Sequence, residues 1–234
     1  MTSTRHDTVL LDVDGTLIDS TYHHAIAWHR AFDDHGIDLP MWRIHRVIGM
    51  GGDRLITAVA GAEVEERLGD ALRAAHGEKY EEIAEDVGPL PGARELVQFL
   101  GERFIVALGS SGSPEHTSLA LEKVGLREHD IAAATSSGNA DSSKPAPDIL
   151  RAALEQAGGT SAIVIGDAPY DIVAAARMGA PCIAVRTGGF GPAELEAAGA
   201  ILVVDGLPEL LDADWDALAR ATPPAGAEDD PPVL

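Results

Sequence analysis

The stretch Val9-Leu10-Leu11-Asp12-Val13-Asp14-Gly15-Thr16 sets two carboxylates two residues apart at the end of an apolar run. Side chains two apart on a strand point the same way, so Asp12 and Asp14 converge where such a strand ends. Two carboxylates at one place are costly without a cation. The pentapeptide Asp12 to Thr16 alone also fits a polar strand end with an Asp-Gly turn, so its weight depends on the other motifs. A second acidic motif is Gly166-Asp167-Ala168-Pro169-Tyr170-Asp171. It puts Asp167 in a loop after another apolar run and Asp171 in the first turn of the helix that Pro169 opens. Complementing the helix dipole, worth about 0.3 to 1 kcal/mol, accounts for Asp171 well and for Asp167 poorly. If the strands are parallel neighbours, Asp12, Asp14 and Asp167 reach one crevice. That oxygen set suits Mg²⁺, which takes one or two carboxylates plus a substrate phosphate and keeps several waters.

Lys144 is one of three lysines beside fourteen arginines and sits in Ser143-Lys144-Pro145-Ala146-Pro147-Asp148, where two prolines stiffen the backbone. A lone lysine is usually just solvated. Fixed between a strand and the next helix, it could instead neutralise an acidic site that holds a phosphate. Ser110 and Ser111 follow the apolar run Phe104 to Gly109 and could donate hydrogen bonds to the same oxyanion. A Ser-rich turn leading to a helix cap at Ser113 is a competing account of Ser111.

The elements that must position these residues read as alternating strands and helices. Short apolar runs at Thr8–Val13, Phe104–Leu108, Ile131–Ala134, Ala162–Ile165, Cys182–Val185 and Ile201–Val204 predict strands. Between them, Pro91-Gly92, Ser113-Pro114, Pro147 and Pro169 open helices, and Gly158-Gly159 and Gly179 close two of them. This order predicts an α/β fold with a doubly wound parallel sheet, Rossmann-like, whose ligands sit at the carboxyl ends of the strands. The interval from Ser20 to Val87 lacks strand signals. There Tyr22, Ala25, Ile26, His29 and Phe32 recur at helical spacing, and Glu63 to Glu85 reads as a charged helix. The expected organisation is therefore a core of residues 1–19 and 88–221, an inserted helical unit of 20–87, and a disordered Pro- and acid-rich tail of 222–234. Leu17 to Asp19 and Gly88 to Gly92 are the expected hinges.

Composition narrows the function classes. In 234 residues, 17 Lys plus Arg stand against 38 Asp plus Glu, a net charge of -21 that opposes nucleic acid and anionic membrane surfaces as partners. No segment approaches the roughly 18 apolar residues of a membrane span, and a cytoplasmic location is expected. The single cysteine, Cys182, excludes an intrachain disulfide and a cysteine metal cluster, so any metal must be held by oxygen or histidine.

Taken in order, Asp12-Val13-Asp14-Gly15-Thr16, Ser110, Lys144, and Gly166-Asp167 with Asp171 resemble the four motifs of the haloacid dehalogenase superfamily of hydrolases. The resemblance spans almost the whole chain to about residue 220. It implies a mobile α-helical cap at residues 20–87. Asp19, Ser20, His23 or His24, and Trp28 place the chain beside the branch resembling phosphoglycolate phosphatases and beta-phosphoglucomutases. The resemblance further implies that Asp12 is the nucleophile, forming an aspartyl phosphate, and that Asp14 is the acid and base. It implies Mg²⁺ held by Asp12, the Asp14 backbone carbonyl and Asp167, with Lys144, Ser110 and Asp171 supporting the phosphate and the metal's surroundings. Thr16, Ser110 and Ser111 join the expected phosphate-binding set. Members resembling dehalogenases or phosphonate-cleaving enzymes lack the second carboxylate, so Asp14 favours phosphate ester chemistry.

The expected activity is Mg²⁺-dependent hydrolysis of a small phosphorylated metabolite, phosphoglycolate-like or a sugar phosphate. The nearest alternative is a phosphomutase. Mutases of this branch usually carry Glu-Asp where this chain has Gly166-Asp167, which favours hydrolysis. A phospho-accepting receiver is disfavoured by the helical insertion, and a noncatalytic binding protein by the filling of every chemical position. The turn Ile48-Gly49-Met50-Gly51-Gly52-Asp53-Arg54 reads either as an interhelical loop or as a cap loop closing over substrate, with Arg46 or Arg54 on its nonreacting end. His23, His24 and His29 read as packed or surface histidines, and Cys182 as inert core.

Overall fold

The computed structural model describes residues 5–135, 142–227 and 229. Six parallel strands form one sheet: β1 (Thr8–Leu11), β2 (Ile105–Gly109), β3 (Ala133–Thr135), β4 (Ala162–Gly166), β5 (Cys182–Val185) and β6 (Leu202–Val204). Their order across the sheet is β3-β2-β1-β4-β5-β6. The strands are uninterrupted apolar runs because both faces are covered. Val9, Leu11, Val106, Leu108, Ile163 and Ile165 pack on one side against Leu96, Val97 and Leu100 of helix α5 (Ala93–Gly101). Leu10, Ala107 and Val164, one residue out of step, pack on the other side against α7 (Asp148–Gln156) and α8 (Pro169–Arg177). Helix α6 (Pro114–Val124) starts at Ser113, whose hydroxyl accepts the His116 N–H. The short helices α9 (Pro192–Ala197) and α10 (Trp215–Leu218) complete the core.

The register positions the site. Leu11 pairs with Leu108 on one side and Ile165 on the other. One step further, Asp12 stands level with Gly109 and Gly166, and Ser110 and Asp167 follow directly on the flanking strands.

Between β1 and α5 lie four helices: α1 (Thr21–Asp34), α2 (Met41–His45), α3 (Gly52–Ala60) and α4 (Ala62–Glu81). They bury a separate apolar cluster that includes Trp28, Phe32, Ile44, Leu55, Ile56 and Leu72. The buried face of α1 is rotated from the one that the apolar spacing predicts. Thr21, His24, Ala25, Trp28, Ala31 and Phe32 are buried, whereas Tyr22 is 52% exposed. Contacts with α4 and the core, rather than hydrophobicity alone, set that face. The charged helix expected to reach Glu85 ends at Glu81 and is followed by a 3-10 turn at Ala84–Asp86.

The two chain crossings into and out of this helical unit are joined. Asp19 N–H donates to the Gly88 carbonyl (2.9 Å) and Leu90 N–H to the Leu17 carbonyl (2.9 Å). The tail expected to be disordered from residue 222 is placed as far as Ala227, which is buried; residues 228 and 230–234 lie outside the described residues. No helix among the described residues is long and apolar enough to cross a membrane.

Candidate active site

A cavity of about 590 Å³ lies between the carboxyl end of the sheet and the four inserted helices. Asp12 and Asp14 line its floor, and His24, Trp28, Arg73, His76 and the loop Ile48 to Asp53 line its far side. The loop approaches the core closely: a Cβ on Gly51 would lie 2.4 Å from the Ser143 Cβ. Gly49, at φ +103°, would bring a Cβ to 2.8 Å from the Ala168 Cβ. Only glycine admits that approach and that conformation together.

Asp12, Asp167 and Asp171 are all buried, and one carboxylate oxygen from each lies within 4.8 Å of the others. Lys144, 1% exposed, pairs with Asp12 and sits 2.7 Å from Asp171 Oδ1. Burial pushes the Asp12 carboxyl up to about 7, with Asp171 and Asp14 adding to the rise and Lys144 opposing it. Burial and the carboxylates of Asp171 and Asp12 likewise raise Asp167 well above the ordinary range. Burial alone would lower Lys144, but its two carboxylate partners hold it protonated. One ammonium thus faces three carboxylates. This hard oxygen set, short of positive charge, fits a divalent cation.

Asp14 is in a different setting two residues away. Its Oδ1 accepts from the Ser20 hydroxyl (2.6 Å) and lies 3.0 Å from His24 Nε2. Burial would raise its carboxyl, but His24 and the Ser20 hydrogen bond outweigh that and hold it well below the usual carboxylate range. The Asp14 side chain is therefore turned away from the cluster of Asp12, Asp167 and Asp171.

The remaining expected residues are dispersed around this floor. Thr16 donates to Asp167 Oδ1 (3.3 Å) and is fully buried. Ser110 Oγ accepts the Gly112 N–H (3.0 Å), which leaves its own proton free to donate. The Ser111 hydroxyl is buried, has no hydrogen-bond partner, and lines the cavity. Asp171 Oδ2 accepts the Ala168 N–H (3.1 Å) at the start of α8.

Arg46 does not reach the cavity. It spans to the core, 2.5 Å from Glu194 and with its guanidinium over the Phe190 ring. Arg54 is also outside the lining and donates to Ser142 Oγ (2.8 Å) at the mouth. The side chains that do line the cavity include three histidines that sequence reasoning assigned to packing or passed over. His24 Nδ1 is 3.2 Å from His76 Nε2, Trp28 stacks on His76 at 4.2 Å, and His116 approaches from α6. One signal was available: a histidine within the i, i+3, i+4 stripe of Thr21, His24, Ala25 and Trp28 cannot be at a solvated face if the stripe is the buried one.

The haloacid dehalogenase-like hydrolase family pattern matches residues 6–179. The chain belongs to that family. This hydrolase is 31% identical over 198 residues to the plasmid protein CbbY of Cupriavidus necator, covering 76% of this chain and 78% of that one. It is 27% identical over 219 residues to a phosphoglycolate phosphatase of Rhodospirillum rubrum, covering 88% and 89%. A crystal structure of a hydrolase from Pseudomonas syringae superimposes with a TM-score of 0.83 at 33% identity, over 88% of this chain and 96% of that one. The hydrolase fits the phosphoglycolate phosphatase and beta-phosphoglucomutase branch, and it is a phosphoric monoester hydrolase.

Proposed function

We propose that this hydrolase cleaves a small phosphorylated metabolite through an aspartyl phosphate on Asp12. The observation that carries this reading is the separation of two neighbouring aspartates into two environments on one cavity floor. Asp12 lies among carboxylates and Lys144, and Asp14 lies against Ser20 and His24.

An Asp12 carboxylate oxygen attacks phosphorus, the ester P–O bond breaks, and Asp14 gives a proton to the departing alkoxide. The added charge of a bound phosphate favours the protonated Asp14 needed for that step. Water then attacks the phosphorus as Asp14 takes its proton back, and the bond to Asp12 breaks to release inorganic phosphate. Lys144 holds the orientation of Asp12 and offsets charge on the phosphoryl oxygens, and Ser110 and Ser111 donate hydrogen bonds to them. Asp12 and Asp167, with Asp171 beside them and, as the family resemblance implies, the Asp14 backbone carbonyl, would hold Mg²⁺, whose chemistry is to neutralise the approach of two anions. The helices of residues 20–87 act as a cap that excludes bulk water, hinged at Leu17 to Asp19 and Gly88 to Gly92.

The test is acid quenching during turnover of a ³²P-labelled phosphate monoester with Mg²⁺. Label should travel with the wild-type protein and be absent from Asp12→Asn. Label on the Asp12→Asn protein, or undiminished activity in EDTA, would overturn the scheme.

A further inference from the structure

The cap half of the cavity is built from rings and acids. Among the described residues, Arg73 is the one arginine or lysine in the lining. Its guanidinium is already committed, to Glu65 at 2.7 Å and Asp70 at 2.8 Å, with the Gly52 carbonyl at 3.5 Å. His24 is matched by Asp14 at 3.0 Å, whatever its charge. His76 is half-buried and stacked on Trp28, and desolvation with its neighbours His24 and His116 pulls it well below the ordinary histidine value, toward the neutral form. Glu81 and Glu115 also face the cavity, and both are exposed within it. Residues 136–141, outside the described residues, include no Lys, Arg or His in their sequence.

We propose that the part of the substrate that is not hydrolysed carries no negative charge, so that the cavity takes the phosphate monoester of a neutral polyol or an amine-bearing polyol. This rests on the phosphatase reading and names its substrate class. The cationic capacity of the site is concentrated at the phosphate end, on Lys144. A carboxylate or second phosphate at the cap end would leave water to meet Glu81, Glu115 and a guanidinium whose charge is already matched by Glu65 and Asp70. Hydroxyl or ammonium groups there find acceptors in Glu81 and Glu115 and a flat apolar wall in Trp28. The same distribution counts against a phosphomutase, whose doubly phosphorylated intermediate needs a cationic grip at both ends.

A matched series tests this. Glucose 6-phosphate, glucosamine 6-phosphate, 6-phosphogluconate and glucose 1,6-bisphosphate share one phosphoryl end and differ in charge at the other. Each is measured as a competitor of p-nitrophenyl phosphate hydrolysis with Mg²⁺. The first two should compete at least tenfold more tightly than the last two, as one unfavourable charge contact in a partly solvated site requires. Glu81→Lys, an exposed change at the carboxyl end of α4, should narrow that gap, and Arg54→Ala should leave it unchanged. Equal or tighter binding of the carboxylate or bisphosphate overturns the proposal, as does absence of competition by all four. Tight binding of the carboxylate that Arg54→Ala abolishes would hand the cap end to Arg54. Failure to hydrolyse p-nitrophenyl phosphate at all would remove the phosphatase reading itself.

Discussion

The two ends of the same parallel sheet treat aspartate in opposite ways. At the amino end, Asp7 precedes β1 and is saturated with donors: the Thr160 N–H and hydroxyl, the Ser161 N–H and the Thr8 hydroxyl. Partial burial would raise its carboxyl, yet those hydrogen bonds lower it to about 2. At the carboxyl end, Asp12 and Asp167 are buried with too few donors and too many like charges, and both are raised. A satisfied carboxylate joins strands. An unsatisfied one stores demand for a cation and a phosphate, and that imbalance marks the functional end of the sheet more sharply than residue type does.

Substitutions at the two ends should separate accordingly. Asp12→Asn should lower kcat by about 10³-fold or more while leaving the thermal midpoint unchanged or higher, because it removes the nucleophile and one crowded charge. A variant that keeps several per cent of wild-type turnover would break the comparison at its most important point. Lys144→Ala should lower kcat about 10²- to 10³-fold. It should also destabilise the fold by about 3 to 5 kcal/mol, since it leaves three buried carboxylates without their ammonium. Thermal scans with and without Mg²⁺ should show partial recovery in the metal.

His24→Gln should reduce kcat about 10-fold with a smaller change in KM, because Asp14 loses its orienting partner while the cluster around Asp12 stays in place. Steady-state kinetics and circular dichroism check it together. Asp7→Ala should leave kcat and KM untouched and cost about 1 to 2 kcal/mol of stability at neutral pH. The Asp7 carboxyl is depressed, so its contribution is present above its ordinary value near 3.8 and disappears as pH falls through about 2. The wild type and this variant should therefore converge in denaturant titrations over that window. Arg46→Ala should have the smallest effect, about 0.2 to 1 kcal/mol from a partly exposed pair with Glu194, with the ranking of substrates unchanged.

Much of the core was legible from the chain. Its strands are buried on both faces and so appear as bare apolar runs, and their shared register carries Asp12 and, one residue further along, Ser110 and Asp167 to the same edge of the sheet without further assumption. The cap side of the cavity was less legible. Arginines flanking a glycine-rich turn suggested anion contacts, but Arg46 and Arg54 turn outward to Glu194 and Ser142, while Arg73, on the later helix α4, lines the cavity. His24, His76 and Trp28 come from two helices whose mutual rotation depends on packing, and no local periodicity encodes that. A positively charged residue also says nothing in sequence about whether its charge is spent; Arg73 is spent on Glu65 and Asp70.

The hydrogen bonds joining Asp19 to Gly88 and Leu17 to Leu90 have a topological consequence. To the sheet, everything from residue 20 to 87 is one closed loop whose two feet are already tied together. The entropy of closing such a loop grows only logarithmically with its length, so the core tolerates large changes in what the loop contains. A related helical unit grafted between the same two feet should dock without altering strand order or register. The catalytic floor and the roof above it can thus diverge independently, with new substrates acquired by exchanging one segment of chain.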